Sequence, residues 1–153
     1  MCCQHVLAAG HPLPASAREH AAHLDLLPVR RAVRLARGFV ASQLAGEADR
    51  EVLDAALLLA SELVTNAVLH ARTPLQLSLT ASDDLILIAV GDGNQARPQQ
   101  QPHALYDPGG RGLVIVDRFS ACWGTKPSEL GKTVWCALCR TSRERDEQWL
   151  TPA

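Results

Sequence analysis

The stretch Ser61-Glu62-Leu63-Val64-Thr65-Asn66-Ala67-Val68-Leu69-His70-Ala71 sets polar groups at a four-residue interval into an otherwise apolar helical segment. Glu62, Asn66 and His70 therefore stack along one face of that helix. A segment so rich in Ala, Leu and Val buries most of its surface, and a buried carboxylate or carboxamide is costly unless something satisfies it. A metal-bound anion is one such partner. Taken singly, Glu62 is a common helix residue, Asn66 a core amide and His70 an edge histidine.

Working outward, Asp49 is placed to cap this helix and Glu51 puts an acid in its first turn, giving a helix from about residue 50 to Ala71 that Arg72-Thr73-Pro74 stops. Before it, Pro28 suits a first helical turn, and Val29, Val33, Ala36 and Val40 mark the apolar stripe of a helix running to about Leu44. Its other side carries Arg30, Arg31, Arg34 and Arg37, either a solvated face or a docking surface for an acidic partner.

After it, Leu75 to Thr80 alternates strictly, as a strand with one wet face does. Ser82-Asp83-Asp84 turns the chain, and Leu85 to Val90 returns as a second strand ending at Gly91-Asp92-Gly93. Residues 94–108 are Gln-, Pro- and polar-rich and read as a mobile loop. Gly109-Gly110-Arg111-Gly112 leads into Leu113 to Arg118, whose β-branched content leaves helix and strand both open. Ala121–Thr125 and Thr133–Leu138 read as strands around a connection over 127–131.

At 153 residues the chain is about one domain. With 47% hydrophobic residues, 20% charged and a net charge of -1, nothing in its composition points to nucleic acid or an anionic membrane, and 4% aromatics leave little for stacking on bases. The apolar runs Ala55–Ala60 and Leu85–Val90 fall short of the ~20 residues of a bilayer span. No secretory signal is read in residues 1–13, so the expected compartment is the cytoplasm.

Cys2, Cys3, Cys122, Cys136 and Cys139 are an odd set without a second paired spacing, so reduced thiols are expected. Cys136 and Cys139 sit in a strand-like run where positions three apart face opposite ways, which argues against a redox or zinc half-site. The division expected is an N-terminal arm over 1–27, with one strand near His23–Leu27, a domain over 28–140 and a charged tail over 141–153.

Several residues could together serve a nucleotide without a P-loop. Asp92, beside Gly91 and Gly93, offers a carboxylate to an exocyclic amine, although a plain Asp-Gly turn reads the same way. Asn66 supplies a neutral oxygen of the kind Mg²⁺ accepts, and Glu62 one turn earlier can order or deprotonate a hydroxyl. Gly110 and Gly112 open an apolar segment where a phosphate is held by free N–H groups. Gly131-Lys132-Thr133 mimics the end of a Walker motif, but Lys126 stands where that motif wants glycine.

The order of these parts resembles the histidine kinase-like ATPases of the GHKL superfamily, and within it the anti-sigma regulatory factors with serine/threonine protein kinase activity typical of actinobacteria. The matching text is Ser61 to Ala67 with His70, Val90-x-Asp92, Gly110-Arg111-Gly112-Leu113, and Gly131-Lys132-Thr133-Val134-Trp135. The resemblance implies an α/β fold of α+β two-layer type, the Bergerat ATP-binding fold, with helices on one face of a mixed, mainly antiparallel sheet. It implies ATP and Mg²⁺ as cofactors, Glu62 as general base or water organiser, and Asn66 as metal ligand.

The same resemblance assigns nucleotide contacts to Asp92, Gly93, Gly110, Arg111, Gly112, Leu113 and Thr133, makes 94–108 a lid, and implies a sigma factor and an anti-sigma antagonist as protein partners, with a homodimer by analogy. The family's adenine box reads Asp-x-Gly-x-Gly, whereas residues 92–96 read Asp-Gly-Asn-Gln-Ala. That departure keeps a second reading, a nucleotide-responsive binding module that transfers nothing. The catalytic half of a two-component histidine kinase would need an upstream helical hairpin that residues 1–27 are too short to supply.

Overall fold

The computed structural model describes residues 20–94 and 111–140. Along the chain these are β1 (His20–Leu26), α1 (Arg31–Gln43), α2 (Arg50–His70), β2 (Leu75–Ala81), β3 (Leu85–Asp92), α3 (Arg111–Phe119), β4 (Cys122–Ser128) and β5 (Gly131–Cys139). The strands form one sheet in the order β1-β2-β3-β5-β4, and every described pair is antiparallel. Helices and sheet make the two layers that the resemblance implies, with no parallel pair among the described strands.

Period-2 alternation decides which side of each strand meets the helices. Leu75, Leu77 and Leu79 of β2, Ile86, Ile88 and Val90 of β3, and Val134, Cys136 and Leu138 of β5 are buried in one cluster with Ala36 and Val40 of α1 and Leu59, Leu63 and Val64 of α2. Gln76, Ser78 and Thr80 are left for the opposite face. There the Trp135 ring lies across Gly124, where a Cβ would come within 2.9 Å of it.

The N-terminal strand runs His20–Leu26, three residues ahead of its expected start, and pairs with the whole of β2. Its apolar signal is weak because, at the sheet edge, β2 is its one strand neighbour among the described residues. In α1 the buried seam is Ala32, Ala36 and Val40, while Val29, expected in that seam, lies outside the helix and is exposed. For α2 the Asp49 side chain accepts from Val52 N at 2.9 Å, satisfying an otherwise unpaired donor of the first turn. Arg72, at φ 55°, turns the chain out of the helix.

By length and composition α2 is apolar enough to span a bilayer, a property the separate apolar runs did not reveal. It lies instead over the sheet, with Val52, Ala56, Leu59, Ala60, Leu63, Val64 and Ala67 buried.

Residues 111–119, open to either state in sequence, are helical. Leu113 and Val116, one turn apart, are both buried, so packing outweighs the strand preference of Val114, Ile115 and Val116. β4 reaches Ser128 and includes Pro127, which an edge strand tolerates. Cys136 faces the main core, and burial pushes its thiol up to about 12. Cys139 packs in a separate small cluster with Leu85, so the two thiols form no half-site.

Candidate functional site

Four-residue spacing on α2 carries Asn66 and Glu62 on successive turns, both half-buried, with exposed His70 completing the ridge. Facing it is the first turn of α3. A Cβ built on Gly112 would lie 3.0 Å from Glu62 Oε2, 3.3 Å from Asn66 Oδ1 and 3.4 Å from Asn66 Nδ2. The missing side chain at Gly112 therefore lets the start of α3 approach the carboxylate and the carboxamide closely.

Glu62 has no ion-pair or hydrogen-bond partner among the described residues, and desolvation by burial raises its carboxyl above the ordinary value of 4.5. A half-buried carboxylate with raised proton affinity, without a partner among the described residues and beside a helix start, can chemically accept a proton or order a metal-bound water. One carboxylate and one neutral carbonyl oxygen also suit Mg²⁺, which takes few protein ligands and retains waters. Among the described residues there is no cluster of three or more His, Cys, Asp or Glu side chains that could hold a metal ion.

Asp92 closes β3 on the helix-facing side, with its side chain 2% exposed. Lys132, its register partner on β5, places Nζ 3.4 Å from Asp92 Oδ1 and 3.1 Å from the Asn94 carbonyl. The Asn94 backbone N–H donates to the same Oδ1 at 2.8 Å, so both strong contacts fall on one carboxylate oxygen. Gly131 makes this approach feasible: a Cβ there would sit 1.8 Å from the Asp92 carbonyl oxygen.

The turn after Asp92 is fastened to the end of α2. Gly93 N donates to Thr73 Oγ1 at 2.8 Å, and Asn94 Nδ2 donates to the His70 carbonyl at 3.1 Å, satisfying one of the acceptors a helix C-terminus leaves open. Asn94 stands where the family's box has glycine, and its side chain is used as a strut. Because His70, Asn66 and Glu62 are successive members of one ridge, the Asp92 turn and Glu62 are about 12 Å apart along α2.

The residues singled out in the sequence thus fall into separate groups. Glu62, Asn66 and Gly112 meet, with Leu113 buried behind them. Asp92, Gly93 and Thr133 line a cleft of about 640 Å³ at the strand ends together with Leu27, Pro74 and Leu130. None of the first group lines that cleft. Arg111 is the first residue of α3, while Gly110 and all but the first residue of the lid expected over 94–108 lie outside the described residues.

Thr133 lies on the other face of the sheet. It alternates with the core-facing Lys132 and Val134 and pairs across the sheet with Gly91, whose Cβ would touch Thr133 Oγ1 at 3.5 Å. Its hydroxyl is therefore on the sheet face away from Glu62, Asn66 and the Asp92 carboxylate. The Gly131-Lys132-Thr133 resemblance covers three neighbours, of which strand parity brings Lys132, rather than Thr133, to Asp92. The apolar positions Val134, Cys136 and Leu138 carried that signal in the sequence.

Arg37, expected in a solvated or docking stripe, instead donates from Nη1 to Ser61 Oγ at 2.9 Å, tying α1 to α2 one residue before Glu62. Arg30, Arg31 and Arg34 remain exposed. Ion pairs join Arg50 to Asp54 and Lys132 to Asp92.

Residues 28–137 match the family model described as the histidine kinase-like ATPase domain. No curated protein matches the chain by sequence. Among solved structures the fold is similar to the RsbU and RsbW domains of Rv1364c from Mycobacterium tuberculosis, with a TM-score of 0.57 and 19% identity over 78% of this chain and 32% of that one. The chain thus spans about a third of that structure, and the likeness at this identity is one of fold.

Proposed function

The chain belongs to the histidine kinase-like ATPase domain family, and on that premise we propose that it is an ATP-dependent serine/threonine protein kinase of the anti-sigma type. In this reading it binds a sigma factor and phosphorylates an anti-sigma antagonist. The observation that supports it most is the convergence of the Glu62 carboxylate, which has no partner among the described residues, and the Asn66 carboxamide on Gly112 at the start of α3.

In the reaction proposed, Asn66 with water would hold Mg²⁺, which would supply neutralisation of phosphate charge. The antagonist's hydroxyl oxygen forms a bond to the γ-phosphorus, the bond from that phosphorus to the β–γ bridging oxygen breaks, and ADP leaves. Glu62 receives the hydroxyl proton, a role its raised proton affinity favours at neutral pH. Asp92 holds the adenine amino group, and the amide groups at Gly110 and Gly112 receive phosphate oxygens. Little covalent work falls to the protein, because phosphoryl transfer is mainly positioning and electrostatics.

For the protein partner, Arg30, Arg31 and Arg34 supply the supporting feature. They lie at the beginning of α1, the positive end of its dipole, where cations are disfavoured, and no acid lies in the helix's first turn. An acidic partner surface would relieve that repulsion. The place of action proposed is the cytoplasm.

A second reading is favoured by two observations: Asn94 replaces a box glycine, and Lys132 already occupies one oxygen of Asp92. These suit a module that responds to nucleotide but transfers nothing. The deciding experiment is titration of the purified chain with Mg·ATP, followed by incubation with candidate antagonist proteins and measurement of their mass. A phosphate gain on a serine or threonine that disappears in Glu62→Gln supports the kinase. Binding of Mg·ATP without any gain supports the module, and no binding rejects both.

A further inference from the structure

Lys132 is a cation in a place where a lysine needs a reason. Its side chain is 10% exposed, it enters from a β5 position on the same face as the core residues Val134, Cys136 and Leu138, and removal from water costs an ammonium several kcal/mol unless its donors are used. An ammonium has three N–H groups. One points to Asp92 Oδ1 and one to the Asn94 carbonyl; no acceptor for the third is found among the described residues.

The carboxylate beside it is uneven in the same way. Lys132 and the Asn94 amide both use Oδ1, and Asp92 Oδ2 takes no partner among the described residues. An unused donor and an unused acceptor therefore stand side by side at the end of β3, held by Gly131 packed onto the Asp92 backbone and by the Gly93 and Asn94 ties to α2. A ligand edge that satisfies both must carry an acceptor next to a donor. The ring nitrogen N1 of adenine and its 6-amino group form such an edge.

We propose that Lys132 is a base-reading residue, donating its third N–H to adenine N1 while Asp92 Oδ2 accepts from the 6-amino group. This rests on the nucleotide reading above and adds to it a specificity determinant outside the residues so far assigned. Lys132 also orients Asp92: by occupying Oδ1 it leaves Oδ2 for the amine. The pair, rather than the aspartate alone, distinguishes the base.

The test uses the full chain and two ligands, Mg·ATP and Mg·1-deaza-ATP, in which a C–H replaces N1. Calorimetric titration of the parent is expected to give tenfold to hundredfold weaker binding of the analogue, the span of about 1.5 to 3 kcal/mol for a hydrogen bond to a charged group. Lys132→Met is expected to weaken Mg·ATP by a similar factor and to bind the two ligands equally. A merely structural lysine would lower both affinities together and leave their ratio as in the parent.

Equal binding of the two ligands by the parent overturns the inference without needing any variant, so a Lys132→Met chain that fails to fold does not shield it. Retention of the parent's ratio in a folded Lys132→Met overturns it as well, as does tighter parental binding of Mg·GTP than of Mg·ATP. A parent that binds no Mg·ATP rejects the nucleotide reading and this inference together. Binding of Mg·ATP without dependence on N1 rejects this inference alone.

Discussion

Gly112→Ala separates the cost of a methyl group to the fold from its cost to the site. The new Cβ would stand 3.0 Å from Glu62 Oε2 and 3.3 Å from Asn66 Oδ1, against ordinary carbon contacts of about 3.5 to 4.0 Å. The overlap is about half an ångström and falls on the ends of two flexible side chains, so moving them off their preferred rotamers costs about 0.5–1.5 kcal/mol. Alanine in place of glycine in a helix returns up to about 1 kcal/mol, less at a second helical position.

The two effects nearly cancel. At roughly 2–4 °C per kcal/mol for a chain of this size, the melting temperature should move by less than about 4 °C. The space between Glu62, Asn66 and the start of α3 is nevertheless filled, and Mg·ATP affinity should fall at least tenfold, about 1.4 kcal/mol. Calorimetric titration beside a circular-dichroism melt reads both quantities. Gly38→Ala, in mid-α1 with nothing within 4 Å of its Cβ, is the control and should leave nucleotide affinity unchanged. A stable Gly112→Ala that binds Mg·ATP like the parent would refute the placement of phosphates at this gap.

Gly131→Ala drives a Cβ into the Asp92 carbonyl, a backbone clash that only separation of β3 and β5 can relieve; we expect a loss of at least about 3 kcal/mol and a melting temperature lower by roughly 6–12 °C, and a shift under 2 °C would contradict the register. Asp92→Asn should weaken Mg·ATP by about 1.5 to 3 kcal/mol in the same titration, with an unchanged dissociation constant counting against base recognition. Glu62→Gln should abolish phosphate transfer while sparing Mg·ATP binding, and parental turnover in the mutant would reject the base role. The same variant tests linkage: the raised proton affinity means the native state holds the Glu62 proton more tightly than the unfolded chain, so its contribution is full below pH 4.5 and lost as pH rises through the folded value. Melts at pH 4 and pH 7 should therefore show Glu62→Gln gaining on the parent at the higher pH. Arg31→Glu with Arg34→Glu should weaken capture of an acidic antagonist or sigma factor at least tenfold at low salt without altering Mg·ATP affinity, and unchanged capture would remove α1 from the partner surface.

Most of the elements were legible because burial on one side leaves a period in the sequence. The alternation of Leu75, Leu77 and Leu79 gave β2, and Asp49 gave the start of α2. Where an element borders few others the period fades: β1 pairs with one strand only, and its first three residues escaped notice. At α3 local preference pointed both ways, and the burial of Leu113 and Val116 against the rest of the domain decided for a helix.

Within the candidate site, Glu62 and Asn66 could be read as neighbours because a helix repeats every 3.6 residues, and their spacing fixes their common face. No spacing could bring Gly112 to them, since 45 residues intervene between Asn66 and it, or choose between Lys132 and Thr133 for the place beside Asp92. Those relations depend on how β5 registers against β3 and how α3 packs on α2. The chain's own pattern determined the faces that seek burial and the polar residues that interrupt them; tertiary structure alone decided which interruptions meet, because contacts between distant segments follow from packing that local periodicity does not encode.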